Sequence, residues 1–320
     1  MEFRIGTLAS HSALGILAGA RAEGFKTLLF SPNQQRRRVY DSFNAADETI
    51  VLEKGYSDLL RVCDDKTILI PHGSFVSYLP IEELITAPLE IFGSRELLKW
   101  EADRMLKAEL LQEANLRFPA EFTDPEIAKY PCIVKYHGAK GGKNFFVAKN
   151  KQELKKKLTG EPAVIQEYIT GAKVYTTYFQ SVMRDRLEIF GTDIRYESSI
   201  DAKLRFDDTP SFTVVGNLPA ILRESLLEDY LQMGIAFSQA VKRKLGTELI
   251  GPFCLETIVD PELRIWTFEF SGRIVAGTNI YIPHSPYSYL LFGKEMWMGR
   301  RIALEIRESL ERNQLRLVCT

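Results

Sequence analysis

The sequence predicts a mixed fold, in which an α/β region with a parallel sheet is followed by an α+β region with antiparallel strands. Three observations indicate it. Apolar strands alternate with helical patterns near the N-terminus, a basic glycine-rich segment lies near the middle, and later apolar segments are joined by tight turns. The 320 residues leave room for two domains, because one domain typically takes roughly 100–200 residues.

The N-terminal elements alternate between strand and helix. Residues 3–8 and 26–30 form short apolar strands, and residues 11–25 between them carry a helical stripe that ends at Gly24. Residues 67–70 form a further strand. This succession favours a mostly parallel sheet with helices on its faces.

Polar clusters follow two of these strands. Residues 10–12 read Ser-His-Ser, and residues 72–74 read His-Gly-Ser. Ligands of open parallel sheets bind beyond the carboxyl ends of the strands, and a helix N-terminus favours an anion such as a phosphate group. The clusters are therefore candidate substrate contacts, although His11 can equally be an ordinary residue at a helix start.

The middle of the chain reads as a long amphipathic helix followed by a small α+β segment that is typical of a lid. The helix is predicted over residues 95–115. The lid comprises strands over residues 132–135, 144–148 and 163–168 and a charged helix over 151–158.

The most distinctive local feature is the sequence IVKYHGAKGGKNFFVA at residues 133–148. A strand delivers Lys135, a turn with Lys140 and Lys143 follows, and a second strand returns. Glycines let a backbone approach phosphate oxygens closely, and lysines supply point charges for them. The pattern is not a Walker A loop, since no helix-opening Gly-Lys-Ser/Thr follows. A phosphate-binding loop and a flexible basic hairpin are both compatible with it.

A second feature, IQEYITG at residues 165–171, places an acidic residue on a strand that runs into a glycine turn. Such a turn is typical of a hinge whose backbone faces an adenine edge. By itself the pattern is weakly specific, since many strands end in this way.

Two carboxylates lie inside apolar strands that are joined by a tight turn. Glu256 and Glu269 flank the Asp-Pro-Glu-Leu turn at residues 260–263, and a hairpin there can place them side by side. Adjacent buried carboxylates repel unless a cation neutralises them, and Mg²⁺ carrying nucleotide phosphates prefers such oxygen ligands. The alternative is a structural ion pair with Arg264 or Arg273. Arg273 is also the candidate catalytic residue, because it can instead steady a transferring phosphoryl group.

The overall composition favours neither a polyanion nor a membrane as partner. The formal net charge is −1, and the four cysteines form no CxxC pair, so bulk electrostatics give no support to nucleic-acid binding. No run approaches the roughly 18 apolar residues that span a bilayer, and the N-terminus lacks a basic segment followed by an apolar core. The expected location is cytoplasmic.

The glycine-rich lid, the hinge and the paired glutamates follow one another as in the ATP-grasp superfamily. The segments SHSALGILAGARAEGFKT, PHGSFVSYL, KYHGAKGGKNFFVA, RYESSIDA and GPFCLET resemble an archaeal purine-biosynthesis family, PurP, the formate-dependent 5-formaminoimidazole-4-carboxamide ribonucleotide synthetases. The resemblance covers essentially the whole chain. It implies an N-terminal α/β domain over residues 1–95 and an ATP-grasp domain over residues 96–320, with the lid at about residues 120–168 and an antiparallel part over 169–320.

The resemblance also implies an activity. Family members are similar in joining formate to the amine of 5-aminoimidazole-4-carboxamide ribonucleotide (AICAR), which gives the formylated product FAICAR, while ATP is cleaved to ADP and phosphate through formyl phosphate. The implied ligands are ATP, Mg²⁺, formate and AICAR, with no nucleic acid and no membrane.

The family's functional positions can be carried over residue by residue. The implied metal ligands are Glu256 and Glu269, and the implied AICAR contacts are His11, Ser74 and Asn217. The implied ATP-binding residues are Lys135, Gly138, Lys140, Gly141, Gly142, Lys143, Glu167, Tyr168, Ile169 and Glu188.

Two other hypotheses stay open from the sequence. One is a diverged relative that ligates another acid or amine, and the other is a nucleotide-binding protein without turnover. The second has little need for two buried acids. A homo-oligomer is a further expectation: the aromatic, apolar residues 281–292 either supply an interface or cover the core.

Overall fold

The computed structural model describes residues 2–136, 145–198, 213–282 and 285–320. The strands are β1 (Arg4–Leu8), β2 (Thr27–Ser31), β3 (Glu48–Val51), β4 (Thr67–Leu69), β5 (Glu90–Ile91), β6 (Glu121–Phe122), β7 (Cys132–Tyr136), β8 (Phe145–Ala148), β9 (Ala163–Glu167), β10 (Ala172–Ser181), β11 (Arg186–Glu197), β12 (Val214–Ala220), β13 (Gly251–Val259) and β14 (Ile265–Ser271). The helices are α1 (Ala13–Ala22), α2 (Gln34–Asp41), α3 (Leu59–Val62), α4 (Gly73–Tyr78), α5 (Ile81–Thr86), α6 (Arg95–Ala102), α7 (Arg104–Glu113), α8 (Lys151–Lys157), α9 (Leu227–Leu245), α10 (Pro286–Phe292) and α11 (Met298–Glu311). Within these ranges no helix has the length and apolar character needed to cross a membrane.

The N-terminal strands form a five-stranded parallel sheet in the order β3-β2-β1-β4-β5, as the sequence predicts. Leu8, Leu28 and Leu69 are fully buried in one core beside this sheet. Because β1 and β4 are parallel neighbours, the turns that follow them lie at the same edge of the sheet. The two polar clusters are thereby brought together.

The lid is a four-stranded antiparallel sheet in the order β6-β9-β7-β8. Helix α8 begins at Asn150, whose side-chain oxygen accepts the Glu153 backbone N–H at 2.9 Å, a typical N-cap. Leu154 of this helix is buried against Cys132 and Val134 of β7.

The C-terminal part is built on a five-stranded antiparallel sheet in the order β12-β11-β10-β13-β14. Its apolar face packs Tyr178, Phe253 and Phe270 onto Phe237 of α9. The sequence predicts four of these strands, over residues 175–182, 187–196, 253–258 and 264–270, and misses β12. The reason is that β12 contains Pro219, which is tolerated because this strand lies at the sheet edge.

The prediction of one continuous helix over residues 95–115 is wrong. The helix breaks at Asp103, whose Oδ1 accepts the backbone N–H groups of Met105 at 2.7 Å and Leu106 at 3.1 Å. Asp103 thus starts α7 as an N-cap. The break turns the first residues of α7, including Lys107, towards β14.

The parallel sheet is joined to the C-terminal part by direct contact between α1 and α11. Gly19 and Gly299 let the two helices meet backbone to backbone, because a Cβ at either position would overlap main-chain atoms of the other helix. The Trp297 Nε1–H donates to the Gly15 carbonyl at 2.8 Å. A short bridge between His72 and Ile274 makes a second connection, beside the polar clusters.

Candidate active site

A pair of glutamates lies on the C-terminal sheet. The register of β13 and β14 sets Glu256 directly opposite Glu269, as the hairpin pattern predicts. Asp260 closes the turn by accepting the backbone N–H groups of Glu262 at 3.1 Å and Arg264 at 2.9 Å. The Arg264 side chain binds this same aspartate at 2.6 Å, so the structural pairing of Arg264 with either strand glutamate is wrong.

Each glutamate of the pair has a cation beside it. Arg195 donates to the two Glu256 oxygens at 2.8 and 3.1 Å, and its guanidinium lies 3.8 Å from the centre of the Tyr175 ring. Although burial opposes the charge of Arg195, the Glu256 carboxylate raises the pKa of Arg195 above its ordinary value. Burial likewise opposes ionisation of Glu269, but the adjacent Lys107 lowers the pKa of Glu269. Glu269 is therefore ionised at neutral pH.

Further basic groups converge on Glu269 from the lid side. Lys135 on β7 donates to Gln166 Oε1 at 2.8 Å. Burial lowers the pKa of Lys135, and the charges of Arg104 and Lys107 add to this against the opposing effect of Glu269. One terminal nitrogen of Arg104 is buried and has no hydrogen-bond partner within the part of the chain that the structure describes. Converging cations of this kind suit phosphate oxygens.

The connection from β9 to β10 carries three of the predicted ATP contacts, Glu167, Tyr168 and Ile169. The Glu167 backbone N–H donates to the Ala120 carbonyl at 2.8 Å, and the Tyr168 N–H donates to the Pro131 carbonyl at 3.2 Å. These bonds tie the connection to the lid. The predicted loop residues lie outside the described residues; they are Gly138, Lys140, Gly141, Gly142 and Lys143.

A second part of the candidate site lies at the carboxyl ends of β1 and β4. His11 has a left-handed backbone with φ of 44°, and its Nδ1 lies 2.8 Å from Ser10 Oγ and 2.9 Å from Ser74 Oγ. Its ring stacks on His72 with 5.6 Å between ring centres. Burial, and then the charge of Arg273, lowers the pKa of His11. The imidazole is therefore a neutral hydrogen-bonding group at pH 7.

Arg273 connects the two parts. Its Nη2 donates to Glu101 Oε1 at 2.6 Å, and the Gly272 backbone N–H donates to the other Glu101 oxygen at 2.8 Å. Its Nε is buried and has no partner among the described residues. Glu101 also lies near Lys107: burial opposes the charge of Lys107, but Glu269 and then Glu101 raise its pKa. Arg273, Glu101 and Lys107 thus form a series of neighbouring charges between the histidine cluster and the glutamate pair.

Asn217 lies on β12, where its amide Nδ2 donates to Asp193 Oδ2 at 2.9 Å. Asp193 is fully buried, its Oδ1 lacks a partner in the described part of the chain, and burial raises its pKa to about 6. Asn279, in the 3₁₀ turn Ala276–Tyr281, donates to the His11 carbonyl at 3.0 Å. Its Oδ1 also has no partner among the residues that the structure describes. Because buried polar atoms rarely lack partners, this concentration suits a ligand rich in hydrogen-bonding groups.

Sequence comparisons cover all of this framework. A family model described as an ATP-grasp domain matches residues 101–182, and models described as a protein and a domain of unknown function match residues 5–122 and 146–320. A protein of Pyrobaculum arsenaticum named 5-formaminoimidazole-4-carboxamide-1-(beta)-D-ribofuranosyl 5'-monophosphate synthetase is 45% identical over 98% of this chain and 95% of its own length. A relative of the same name from Ignicoccus hospitalis is 43% identical over 98% of this chain and 95% of its own length. The chain belongs to this synthetase family, PurP.

Solved structures show the same relationship. The crystal structure of an IMP biosynthesis protein PurP from Thermococcus kodakaraensis has a TM-score of 0.85 and 32% identity, and it covers 99% of this chain and 100% of that one. N5-carboxyaminoimidazole ribonucleotide synthetase from Thermotoga maritima has a TM-score of 0.65 at 15% identity, covering 96% of this chain and 76% of that one. At such identity the second likeness concerns the fold alone. The predicted ATP-grasp fold is confirmed.

The residues of this PurP-family chain fit a magnesium ion held together with phosphates. Glu256 and Glu269 offer carboxylate oxygens on adjacent strands, and Lys135 and Arg104 offer positive charge nearby. Within the described ranges no group of three or more His, Cys, Asp or Glu side chains is arranged to hold a metal ion. Octahedral Mg²⁺ commonly takes only one or two protein carboxylates and fills its other positions with substrate phosphates and water.

The structure does not bring Glu188 to this site. Arg301 of α11 donates to Glu188 at 2.9 Å and to Glu305 at 2.8 Å, and all three side chains are fully buried. Arg186 donates to a Glu188 oxygen as well, at 2.8 Å. We call Glu188, Arg301 and Glu305 the Glu188 cluster. The role in ATP binding that the resemblance implies for Glu188 is therefore corrected, because α11 covers this carboxylate and Arg301 and Arg186 occupy its oxygens.

Six site residues were missed at the sequence level, namely Glu101, Arg104, Lys107, Asp193, Arg195 and Asn279. One signal was present for two of them: Asp193 and Arg195 alternate on a strand, so both side chains share one sheet face. Lys107 and Asn279 carry no such signal, because each reaches the site through the packing of a separate element.

Proposed function

We propose that the protein is a ligase that uses ATP and formate to convert AICAR into FAICAR through formyl phosphate. The observation that carries this proposal is the position of the Glu256 and Glu269 pair. Cations suited to phosphates, such as Lys135, stand on one side of it, and the neutral hydrogen-bonding cluster around His11 lies on the other, linked through Arg273. The names of the full-length relatives support the proposed product, since they describe synthetases of a 5-formaminoimidazole-4-carboxamide ribonucleotide.

The chemistry requires formate to become an electrophile. A formate oxygen attacks the γ-phosphorus of ATP, the bond from this phosphorus to the bridging oxygen breaks, and ADP leaves. The AICAR amine then attacks the formyl carbon, the carbon–oxygen bond to phosphate breaks, and the amine proton leaves with the phosphate. Mg²⁺, held by Glu256 and Glu269, would neutralise charge on the phosphates.

Named residues of this chain have distinct roles in the proposal. Arg273, fixed by Glu101, steadies the transferring phosphoryl group through charge that is already oriented. His11, Ser74 and Asn217 bind AICAR through neutral hydrogen bonds. The ATP contacts are Lys135, the loop residues Gly138, Lys140, Gly141, Gly142 and Lys143, and the hinge residues Glu167, Tyr168 and Ile169. The domain division between residues 95 and 96 and a cytoplasmic location remain predictions from the sequence.

The proposal is tested by measuring ADP and phosphate release with formate and AICAR present, and then with each omitted in turn. We expect release to require both, and the product to gain one formyl group by mass spectrometry. Turnover that is independent of formate would indicate a ligase for another acid. Nucleotide binding without ADP formation under any of these conditions would indicate a protein without turnover.

The acceptor half of the site is tested separately by His11→Ala. Loss of a neutral hydrogen-bonding partner should raise the KM for AICAR by about tenfold, since such a bond contributes roughly 0.5–1.5 kcal/mol. The KM for ATP should stay within about twofold, because His11 contacts Ser74 and His72, not the glutamate pair. An equal rise in both constants would contradict the division into two halves.

A further inference from the structure

Lys107 forms an ion pair with Glu269, and the proposed reaction assigns no role to this lysine. Lys107 projects from the first turns of α7, and its ammonium touches Glu269 Oε1. The lysine side chain is 20% exposed and the glutamate 43%. The ion pair therefore lies at the accessible surface of the site, where a ligand can compete for it.

Both glutamates are neutralised in this arrangement, but by different means. Arg195 grips Glu256 through two hydrogen bonds and is stacked on Tyr175, so its planar group is held in place. Lys107 is a compact point charge on a flexible stem. Of the two cations, Lys107 is the one that can leave its carboxylate without breaking a packed arrangement.

We propose that Lys107 is a positioning residue that holds Glu269 until a nucleotide-bound divalent cation takes its place. This inference rests on the proposed binding of Mg²⁺ and ATP at the glutamate pair. An ammonium and a divalent cation cannot share one carboxylate oxygen, because like charges at that separation repel strongly. A cation that binds Glu269 Oε1 must therefore displace Lys107.

Among the described residues, the other acids near Lys107 are Glu101 and Glu256. Each is already paired with an arginine, Glu101 with Arg273 and Glu256 with Arg195. The phosphates that accompany the metal provide new acceptors for Lys107. A bare cation brings none. Lys107 thus makes metal entry depend on nucleotide.

The test is Mn²⁺ binding, followed by the electron paramagnetic resonance signal of free Mn²⁺, with the full chain and without formate or AICAR. The variants are Lys107→Met, Lys107→Gln and Lys107→Arg. The control is Lys244→Met. Lys244 of α9 donates at 2.9 Å to Glu109 of α7, the helix that carries Lys107, but away from the glutamate pair. Each protein is titrated with Mn²⁺ alone and with Mn²⁺ plus a non-hydrolysable ATP analogue.

Without nucleotide, Lys107→Met and Lys107→Gln should each bind Mn²⁺ at least about tenfold more tightly than wild type, which corresponds to about 1.4 kcal/mol. Lys107→Arg and Lys244→Met should match wild type. The gain in Mn²⁺ affinity on adding the analogue should be largest for wild type and should shrink in the two neutral variants.

Equal or weaker binding of Mn²⁺ alone by both neutral variants would overturn the proposal. Thermal melting of each variant shows whether it is folded. Because two neutral variants are made, the test can still be read if one of them fails to fold. The readout involves no turnover, so a failure of the formate and AICAR assay leaves this result standing. Conversely, tight Mn²⁺ binding by wild type without nucleotide would contradict the role of Lys107 while leaving the proposed ligase intact.

Discussion

Two carboxylate–cation clusters lie on the same five-stranded sheet, and they differ in how completely they are closed. In the Glu188 cluster, Arg301 and Glu305 are wholly buried, and Ser181 and the Met183 N–H also donate to Glu305, at 2.8 Å each. In the second cluster, on β14, the Glu269 side chain is 43% exposed and is contacted by the ammonium of Lys107.

The difference separates a structural use of charge from a functional one. A saturated buried network leaves no lone pair for a ligand, and removing one of its members exposes an uncompensated charge. A half-open pair with a flexible lysine costs less to break and can exchange partners. Composition alone does not distinguish the two clusters, since in each a glutamate of the sheet pairs with a basic residue of a helix.

The largest expected effect comes from Glu269→Gln. Removing the proposed metal ligand should lower kcat by roughly 10³-fold, comparable with the loss of a major electrostatic contact in an active site. Thermal melting should change little, because the side chain is half exposed. Glu262→Gln in the same hairpin, 63% exposed, is the control and should retain wild-type kcat. If Glu269→Gln changed kcat by only a few-fold, Glu269 would not be a metal ligand and the open cluster would be structural, like the closed one.

Arg301→Met tests the closed cluster. Breaking a buried ion pair leaves Glu188 and Glu305 uncompensated, so the free energy of unfolding should fall by about 3–5 kcal/mol. Urea denaturation measures this, and the KM for ATP should remain near the wild-type value. The control is Arg316, whose side chain is 86% exposed and pairs with Glu90. Arg316→Met should change the free energy of unfolding by less than about 0.5 kcal/mol. A KM effect at Arg301 without destabilisation would assign it to the site instead.

Asp193→Asn addresses a carboxylate that lies between these extremes. One of its oxygens is bonded to Asn217, and the other has no partner within the described ranges. An amide there places an NH₂ group beside the Gly277 backbone or turns the Asn217 amide. Either outcome should raise the KM for AICAR by about tenfold, since an unsatisfied buried group costs roughly 1–3 kcal/mol. The KM for ATP should stay within about twofold. Steady-state kinetics with each substrate varied would reveal whether the effect is confined to the amine.

The smallest expected effect is on the pH dependence of stability. Burial raises the pKa of Asp193 from 3.8 to about 6, so the folded protein binds more protons than the unfolded chain between these values. Stability from this group is therefore full below about pH 4 and is lost as the pH rises through about 6. Urea unfolding at pH 4.5 and 6.5 should show a steeper loss for wild type than for Asp193→Asn. Parallel pH profiles would mean that Asp193 is ionised throughout.

The sequence determined the features that depend on neighbouring residues. Alternating strand and helix patterns predicted the parallel sheet, and the turn at Asp260 with two flanking acids predicted the opposition of Glu256 and Glu269. These succeed because strand periodicity and turn chemistry act over a few residues. The break at Asp103 belongs to the same class, since an aspartate N-cap is a local signal that the amphipathic pattern obscured.

Only the tertiary structure decided which charges meet across elements. Arg301 is 113 residues from Glu188 and Lys107 is 162 residues from Glu269, and no local rule links such positions. The same acidic residue type on the same sheet became a closed structural cluster where α11 packs over it and an open site where α7 leaves it accessible. The physical reason is that the function of a charge depends on its solvent exposure and on the number of its partners, and both are set by how the helices pack.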